Sequence, residues 1–310
     1  MNYLVTGAAG FIGAAIAQKL LAEGNECITI DNFSTGKKEN VPAGCRLIQG
    51  DVADAKIIEK LENEKIDAVI HIAGQSSGEV SFANPIYDLH TNTQSTVLLL
   101  KLAEKIGCKK FIYASSMSVY GEHENPCCDE RDLAAPKSFY AVGKLASENY
   151  MRIFSQDGMA CTALRFFNVY GEGQNLENLK QGMASIYLAM AIKDHCIEVK
   201  GCKERFRDFV YISDIVEAVE RSLIFTEGYR VFNVCTGVPT TVEQVIDKIK
   251  SKLPYSVDVK YMKGTPGDQF GIYGDNSSIY EELNWLPKVS FDEGMERMIL
   301  WARETLGDID

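Results

Sequence analysis

The sequence predicts an α/β fold: a doubly wound parallel sheet with a smaller C-terminal α/β lobe. Three observations predict it. Short apolar runs alternate with helical stretches through the first two-thirds of the chain. The first run, residues 3–6, passes straight into a glycine-rich turn that opens a helix. After about Tyr170 this rhythm changes, which marks off the smaller lobe.

Taken in order, strands are expected at 3–6, 27–30, 46–49, 68–72, 110–115 and 161–166. Each is brief and largely apolar, as strands covered on both faces of a parallel sheet are. Helices are expected at 11–23, where Gly24 supplies the stop, and at 55–63, 91–106 and 138–156. A polar loop (171–180) then leads to a helix at 183–193, strand-like runs at 196–200 and 206–212, and a strand at 232–234. Two capping boxes, Thr240-x-x-Glu243 and Ser290-x-x-Glu293, start late helices. There is no internal repeat or low-complexity tract.

Of the 310 residues, 46% are hydrophobic and 24% charged, and the net charge is −11. So acidic a surface repels nucleic acid and anionic membrane, so neither is expected as a partner. An anionic substrate would need a local cluster of Arg or Lys. Nine cysteines, with no CxxC pair, read as reduced thiols of a cytoplasmic protein. No apolar run approaches the ~20 residues of a membrane helix. The first residues lack the basic start and long apolar stretch of a signal peptide.

The first motif with chemistry is Gly7-Ala8-Ala9-Gly10-Phe11-Ile12-Gly13. Glycines suit a tight turn whose backbone must approach a pyrophosphate closely. The helix that follows offers free N–H groups and the positive end of its dipole. Asp31 ends the next strand 18 residues after Gly13, placed to accept both adenosine ribose hydroxyls. Its charge repels a 2′-phosphate, so NAD is expected rather than NADP, although Lys37 and Lys38 keep NADP open. The expected division is therefore a Rossmann domain over 1–170, with strands near 207–235 returning to it, and a mainly substrate-binding lobe over 171–310. A flavodoxin-like fold without a dinucleotide is the competing reading. Asp51 follows the third strand, where an adenine amino group can be held, and otherwise reads as a turn aspartate. His71, ending the fourth strand, reads as a satisfied core histidine.

Chemistry on a nicotinamide cofactor needs an acid or base beside it. Of 14 tyrosines only Tyr140 has a lysine four residues on, Lys144, and on a helix the two share a face. A neighbouring ammonium is expected to lower the phenol from its usual value near 10. The spacing alone is a weak signal, but the helix carrying it follows the strand end Ala114-Ser115-Ser116-Met117-Ser118-Val119-Tyr120-Gly121. Ligands of doubly wound folds sit at such carboxyl ends.

Thr6-Gly7-x-x-Gly10-x-x-Gly13, Asp31-Asn32-x-Ser34-Thr35-Gly36, the serine-rich strand end and Tyr140-x-x-x-Lys144 together resemble the extended short-chain dehydrogenase/reductase family. The branch it looks most like is the nucleotide-sugar 4-epimerases that act on UDP-glucose and UDP-N-acetylglucosamine. The resemblance continues through Arg165-Phe166-Phe167-Asn168-Val169-Tyr170-Gly171, Arg207-Asp208-Phe209-Val210 and Pro266-Gly267-Asp268. It implies Ser116, Tyr140 and Lys144 as the catalytic trio. NAD contacts would come from the Gly7–Gly13 turn, Asp31, Asn32, Ser34, Thr35, Gly36, Asp51, Val52, Ala73, Gly74, Gln75, Asn92, Phe167 and the trio's Tyr140 and Lys144. Ser76, Ser116, Asn168, Arg207 and Asp268 would hold a nucleotide-diphosphate sugar, with Arg205 competing for the Arg207 role; no metal is implied. The implied mechanism is reversible oxidation at the sugar C4. Tyr140 takes the hydroxyl proton while hydride passes to NAD, and the 4-keto sugar turns over and takes the hydride back on its other face. A homodimer through 91–106 and 138–156 is implied as well, although those stripes also suit packing on the sheet.

The chain departs from relatives in several places. Dehydratases and decarboxylases carry an acidic residue where Met117 and Ser118 stand, which disfavours both reactions, with Glu122 and Glu124 as conceivable substitutes. Thr265 precedes Pro266 where many relatives have a phosphate-binding arginine, and Lys263 lies nearby. The stretch Gly74–Glu79 is unusually polar, and Ile272 stands near the position that sizes the pocket for the sugar 2-substituent. Competing functions are a 4-dehydrogenase or 4-keto reductase with net redox, and a non-enzymatic NAD sensor.

Overall fold

The computed structural model describes residues 1–123, 125–180, 182–264 and 269–307. In chain order its strands are β1 (Asn2–Thr6), β2 (Glu26–Asp31), β3 (Arg46–Gln49), β4 (Ala68–His71), β5 (Lys110–Ser116), β6 (Cys127–Cys128) and β7 (Ala160–Phe166). They continue as β8 (Asn168–Tyr170), β9 (Cys196–Lys200), β10 (Phe206–Tyr211), β11 (Tyr229–Val234), β12 (Pro239–Thr241), β13 (Asp258–Met262) and β14 (Gly271–Gly274).

Seven of them form one all-parallel sheet in the order β11-β7-β5-β4-β1-β2-β3. The chain winds outward in both directions from β1 and β4, so the sheet reverses between them. There Thr6 lies opposite Ile30 on one side and His71 on the other, which lines up the carboxyl ends of β1, β2 and β4. The turns that leave these ends must part to opposite faces, and the gap they leave is the ligand crevice of such folds.

Both faces of the sheet are covered. On one, Ile16 and Leu20 of the helix Phe11–Ala22 pack with Ile215 and Val219 of Ile212–Ser222 and with Trp285. On the other, Leu99, Leu100 and Ala103 of Ser95–Ile106 pack with Met151 of Phe139–Phe154. A third cluster joins Met183–Asp194, Val242–Lys252 and Phe291–Leu306 over β9 and β10.

Two late strands take different places. β11 extends the main sheet beside β7. β10 does not: with β5 and β11 on its two edges, β7 has no edge left to offer. β10 pairs instead with β8, β12 and β14, and β6 completes that smaller sheet. A further correction concerns the expected capping box at Thr240. Thr240 pairs with Arg207 inside the β10–β12 ladder, so the helix starts one residue later, with Thr241 and Gln244 forming the box. The helix expected over 91–106 opens with a wide turn, His90–Gln94, before regular turns at Ser95–Ile106. Two short helices in the polar stretch before it, Gly78–Ala83 and Pro85–Leu89, were not expected.

Candidate active site

A cleft of about 570 Å³ opens over the carboxyl ends of β1, β4, β5 and β7. Its floor is the glycine turn. Gly7 has φ +77° and donates its N–H to Ile30 O at 2.9 Å. A Cβ there would stand 2.9 Å from Ala73 N, and one on Gly13 only 2.2 Å from Gly7 O. Neither position has room for a side chain, so the turn presents bare backbone to the cleft. Asp31 is pinned by backbone donors: its Oδ2 accepts from Ala9 N–H (2.9 Å) and its Oδ1 from Phe33 N–H (2.8 Å). Asn32 donates to Asp51 Oδ2 at 3.2 Å, so the second and third strand ends are tied together at the rim.

The reactive end is built by β5 and the helix Phe139–Phe154. Ser116 ends β5, and its Oγ accepts from Ser118 N–H at 3.2 Å. Ser138 caps the helix with its Oγ on Ala141 N–H (3.2 Å), which puts Tyr140 in the first turn, facing Ser116. One turn on, Lys144 is buried, donates Nζ to Ala114 O at 2.7 Å and stands over the Tyr140 ring at 5.6 Å. Burial pushes the Tyr140 phenol up to about 12, against a hydrogen bond with Ser116, and the Asp88 carboxylate adds to the rise. Burial lowers Lys144 to about 8, with Asp88 and Glu148 opposing. The expectation that Lys144 lowers the phenol is thus not met. The ammonium is itself weakened by burial and is turned toward Ala114 O.

Gly7, Gly10, Phe11, Ile12, Gly13, Asp31, Asn32, Ser34, Thr35, Gly36, Asp51, Val52, Ala73, Gly74, Gln75, Ser76, Ser116, Tyr140, Lys144, Phe167 and Asn168 all line this one cleft. Asn92 lies just behind it: a Cβ on Gly74 would come 2.6 Å from its Oδ1, a buried acceptor with no hydrogen-bond partner. Asn168 Oδ1 and Gln174 Oε1 are likewise buried and unpartnered. Buried acceptors of this kind need a donor, which an ordered water or a polar ligand can supply.

Other expected residues fall elsewhere. Arg207 is not on the cleft wall; its guanidinium donates to Phe206, Gln269 and Phe270 carbonyls, because its strand sits in the smaller sheet. Ile272 is buried in the hydrophobic core rather than in the cleft. Asp268, with the rest of its Pro266-Gly267-Asp268 motif, Thr265 and Glu124, lies outside the described residues. Glu122 is ion-paired to Lys137 on the surface and does not reach the cleft.

His71 is a core residue, as expected. Thr6 Oγ1 accepts from two backbone N–H groups and so gives its own proton to His71 Nδ1 (2.8 Å). His71 Nε2 then carries the hydrogen that meets Ser95 Oγ at 3.1 Å. Burial first, and Lys144 second, lower this imidazole to about 3.

Sequence reasoning missed Lys180 and Asn178, which line the cleft from the polar loop and bring a cation to it. It also missed Asp88 and Ser81, buried behind Tyr140. The i, i+4 spacing of Asp88 and Asn92 on a helical segment was the available signal.

Residues 3–235 match the NAD dependent epimerase/dehydratase family. A putative UDP-glucose 4-epimerase of Methanocaldococcus jannaschii is 32% identical over 302 residues, spanning 97% of this chain and 98% of that protein. The crystal structure of a Thermotoga maritima UDP-glucose 4-epimerase with UDP-glucose superposes with a TM-score of 0.95, at 32% identity over 99% of this chain and 100% of that one. That of the Thermus thermophilus UDP-glucose 4-epimerase in complex with NAD gives 0.92, at 32% identity over 98% of this chain and 99% of that one. With the family match over residues 3–235 and relatives aligned over nearly all of it, the chain belongs to the NAD dependent epimerase/dehydratase family.

Proposed function

We propose that this protein is an NAD-dependent nucleotide-sugar epimerase that inverts C4 of a UDP-sugar through a transient 4-keto intermediate. The observation that carries the proposal is the meeting of Ser116, Tyr140 and Lys144 at one end of the cleft, away from its carboxylates. Among the described lining residues the only carboxylates are Asp31 and Asp51, at the opposite, adenosine-facing end. Among the described residues an elimination or decarboxylation therefore has no acid beside the trio, whereas proton transfer at one hydroxyl has its groups in place.

The cleft fits NAD. Its bare glycine turn leaves room for a pyrophosphate, Asp31 faces the ribose position, and Asn92 Oδ1 is an acceptor waiting for a donor. When bound, NAD supplies the hydride acceptor and donor of the reaction. The protein's part is proton handling and orientation. Tyr140 takes the proton of the 4-hydroxyl and returns it, and Ser116 hydrogen-bonds the same oxygen as it becomes a carbonyl. Lys144, lowered by burial to about 8 and so still mostly an ammonium at neutral pH, holds the cofactor's ribose and adds positive charge beside the phenol. Lys180 with Asn168 and Gln174 supports a diphosphate and sugar on the lobe side, a role expected of Arg207.

Three coarser features complete the proposal. Residues 1–170 act as the cofactor domain and 171–310 mainly as the substrate lobe, with β11 returning to the main sheet. Nine free thiols suit the reducing cytoplasm, and among the described residues no helix is long and apolar enough to cross a membrane. A homodimer is supported by an exposed apolar face of Phe82, Ile86, Leu89, Phe139, Val142 and Ile153 on Phe139–Phe154 and the short helices beside it. The helix Ser95–Ile106, by contrast, turns its leucines onto the sheet.

Proton NMR of the purified protein with UDP-glucose, UDP-N-acetylglucosamine and their uronic acids, without added NAD, tests the function. Anomeric signals of a 4-epimer are expected to grow in. Turnover only with added NAD or NADH, consumed in step with sugar, would replace the proposal with a net oxidoreductase.

A further inference from the structure

Behind the cleft wall lies a carboxylate that the mechanism above does not use. Asp88, at the end of the helix Pro85–Leu89, is 1% exposed. Its Oδ1 accepts from Gln75 Nε2 (2.8 Å) and Asn92 Nδ2 (2.9 Å), and its Oδ2 from Ser81 Oγ (3.1 Å). Ser81 Oγ in turn accepts the N–H of Tyr140 at 2.7 Å. One buried carboxylate thus holds three side chains from three segments, and one of them grips the backbone of the catalytic tyrosine.

We propose that Asp88 is a positioning residue that fixes Tyr140 in place and Asn92 in orientation for the epimerase reaction, an inference that rests on the function proposed above. Donor and acceptor identity dictates the arrangement. An ionised carboxylate only accepts, so Asn92 must turn its amide NH₂ toward Asp88, where it also reaches Gln75 O at 2.9 Å. The Asn92 carbonyl oxygen is thereby forced the other way, to the unpartnered position beside Gly74 at the cofactor wall. Likewise Ser81 must give its proton to Asp88, which leaves its lone pair for Tyr140 N–H. An asparagine at position 88 breaks this order, because its NH₂ group meets a donor on one side or the other.

Asp88 also acts through charge. The titratable groups around Tyr140 and Lys144 are Asp88, Glu148 on their own helix, Tyr113 on β5 and His71 at the end of β4. Glu148 is held by Arg165 at 2.8 Å, which leaves Asp88 as the carboxylate that bears on the Tyr140 phenol. Its negative charge raises that phenol, so removing it must lower the pH at which phenolate forms.

The test compares Asp88→Asn with wild type and with Asp88→Ala, all with NAD. For Asp88→Asn we expect kcat to fall roughly 10–100-fold with KM for the UDP-sugar little changed, since the base is displaced and the sugar contacts are not. The acid limb of kcat should move to lower pH by roughly one unit. A merely structural residue would lower the amount of folded enzyme and leave that limb where it was. The dissociation constant of NAD, followed by equilibrium dialysis, should rise about tenfold as Asn92 loses its orientation. Wild-type kcat, an unmoved acid limb or an unchanged NAD affinity in Asp88→Asn would each overturn the proposal. If Asp88→Ala fails to fold, the isosteric Asp88→Asn still decides. If wild type turns over no sugar, the functional reading alone falls, and the NAD measurement still judges Asp88.

Discussion

Tyr140 shows how a residue's place overrides its type. The Tyr-x-x-x-Lys spacing was legible in the sequence, but the sign of its electrostatics was not, because that depends on burial and on Asp88 from a distant segment. A phenol near 12 is an acid-holding group in the free protein, so activity should climb with pH through the neutral range as phenolate becomes accessible. Tyr140→Phe should lower kcat by about 10²–10⁴-fold with KM little altered, as measured by steady-state kinetics. His71 gives a second residue-scale prediction, on stability. Its imidazole is near 3 when folded and near 6.5 when unfolded, so below 6.5 the unfolded chain binds the extra proton. Its contribution is complete above about pH 6.5 and fades as pH falls toward 3, by up to about 1.4 kcal/mol per unit. Urea midpoints at pH 7.5 and 5 should therefore differ less in His71→Gln than in wild type.

The helix Phe139–Phe154 presents Tyr140 and Lys144 to the cleft and is held at its start and again along its length. Ser138 caps its start, and Ser138→Ala should cost about 1 kcal/mol in denaturant unfolding while blurring the position of Tyr140 two residues on. Further along, Glu148 forms a buried bidentate pair with Arg165 of β7 and accepts from Ser115 Oγ at 2.5 Å. Removing one partner strands the other charge, so Glu148→Ala should cost about 3–5 kcal/mol, also read by urea unfolding. The strands and helices of the sheet were legible because burial on both faces writes continuous apolar runs. The short helices at 78–89 were not, since runs of 6 and 5 residues are too short to write a helical period. β10 reads as a strand but not as a member of either sheet, because only the pairing of β7 with β11 decides that.

For the whole molecule, the doubly wound sheet was legible in the sequence, as was the set of Ser116, Tyr140 and Lys144 that the fold brings to one cleft. The substrate side was not, because Arg207 and Ile272 owe their roles to a second sheet whose pairing no local pattern encodes. The apolar face around Ile86 and Val142 predicts a dimer, and Ile86→Glu with Val142→Glu should shift sedimentation to the monomer while the fold, by circular dichroism, persists. The central claim is that one site removes hydrogen from C4 and returns it to the same carbon with resident NAD. The measurement that tests it most directly uses a UDP-sugar deuterated at C4, incubated with the protein alone in ordinary water and followed by NMR and mass spectrometry. A C4 epimer that keeps its deuterium, with none lost to solvent, is expected. An epimer without the label, or label recovered in a pool of free NADH, would contradict it.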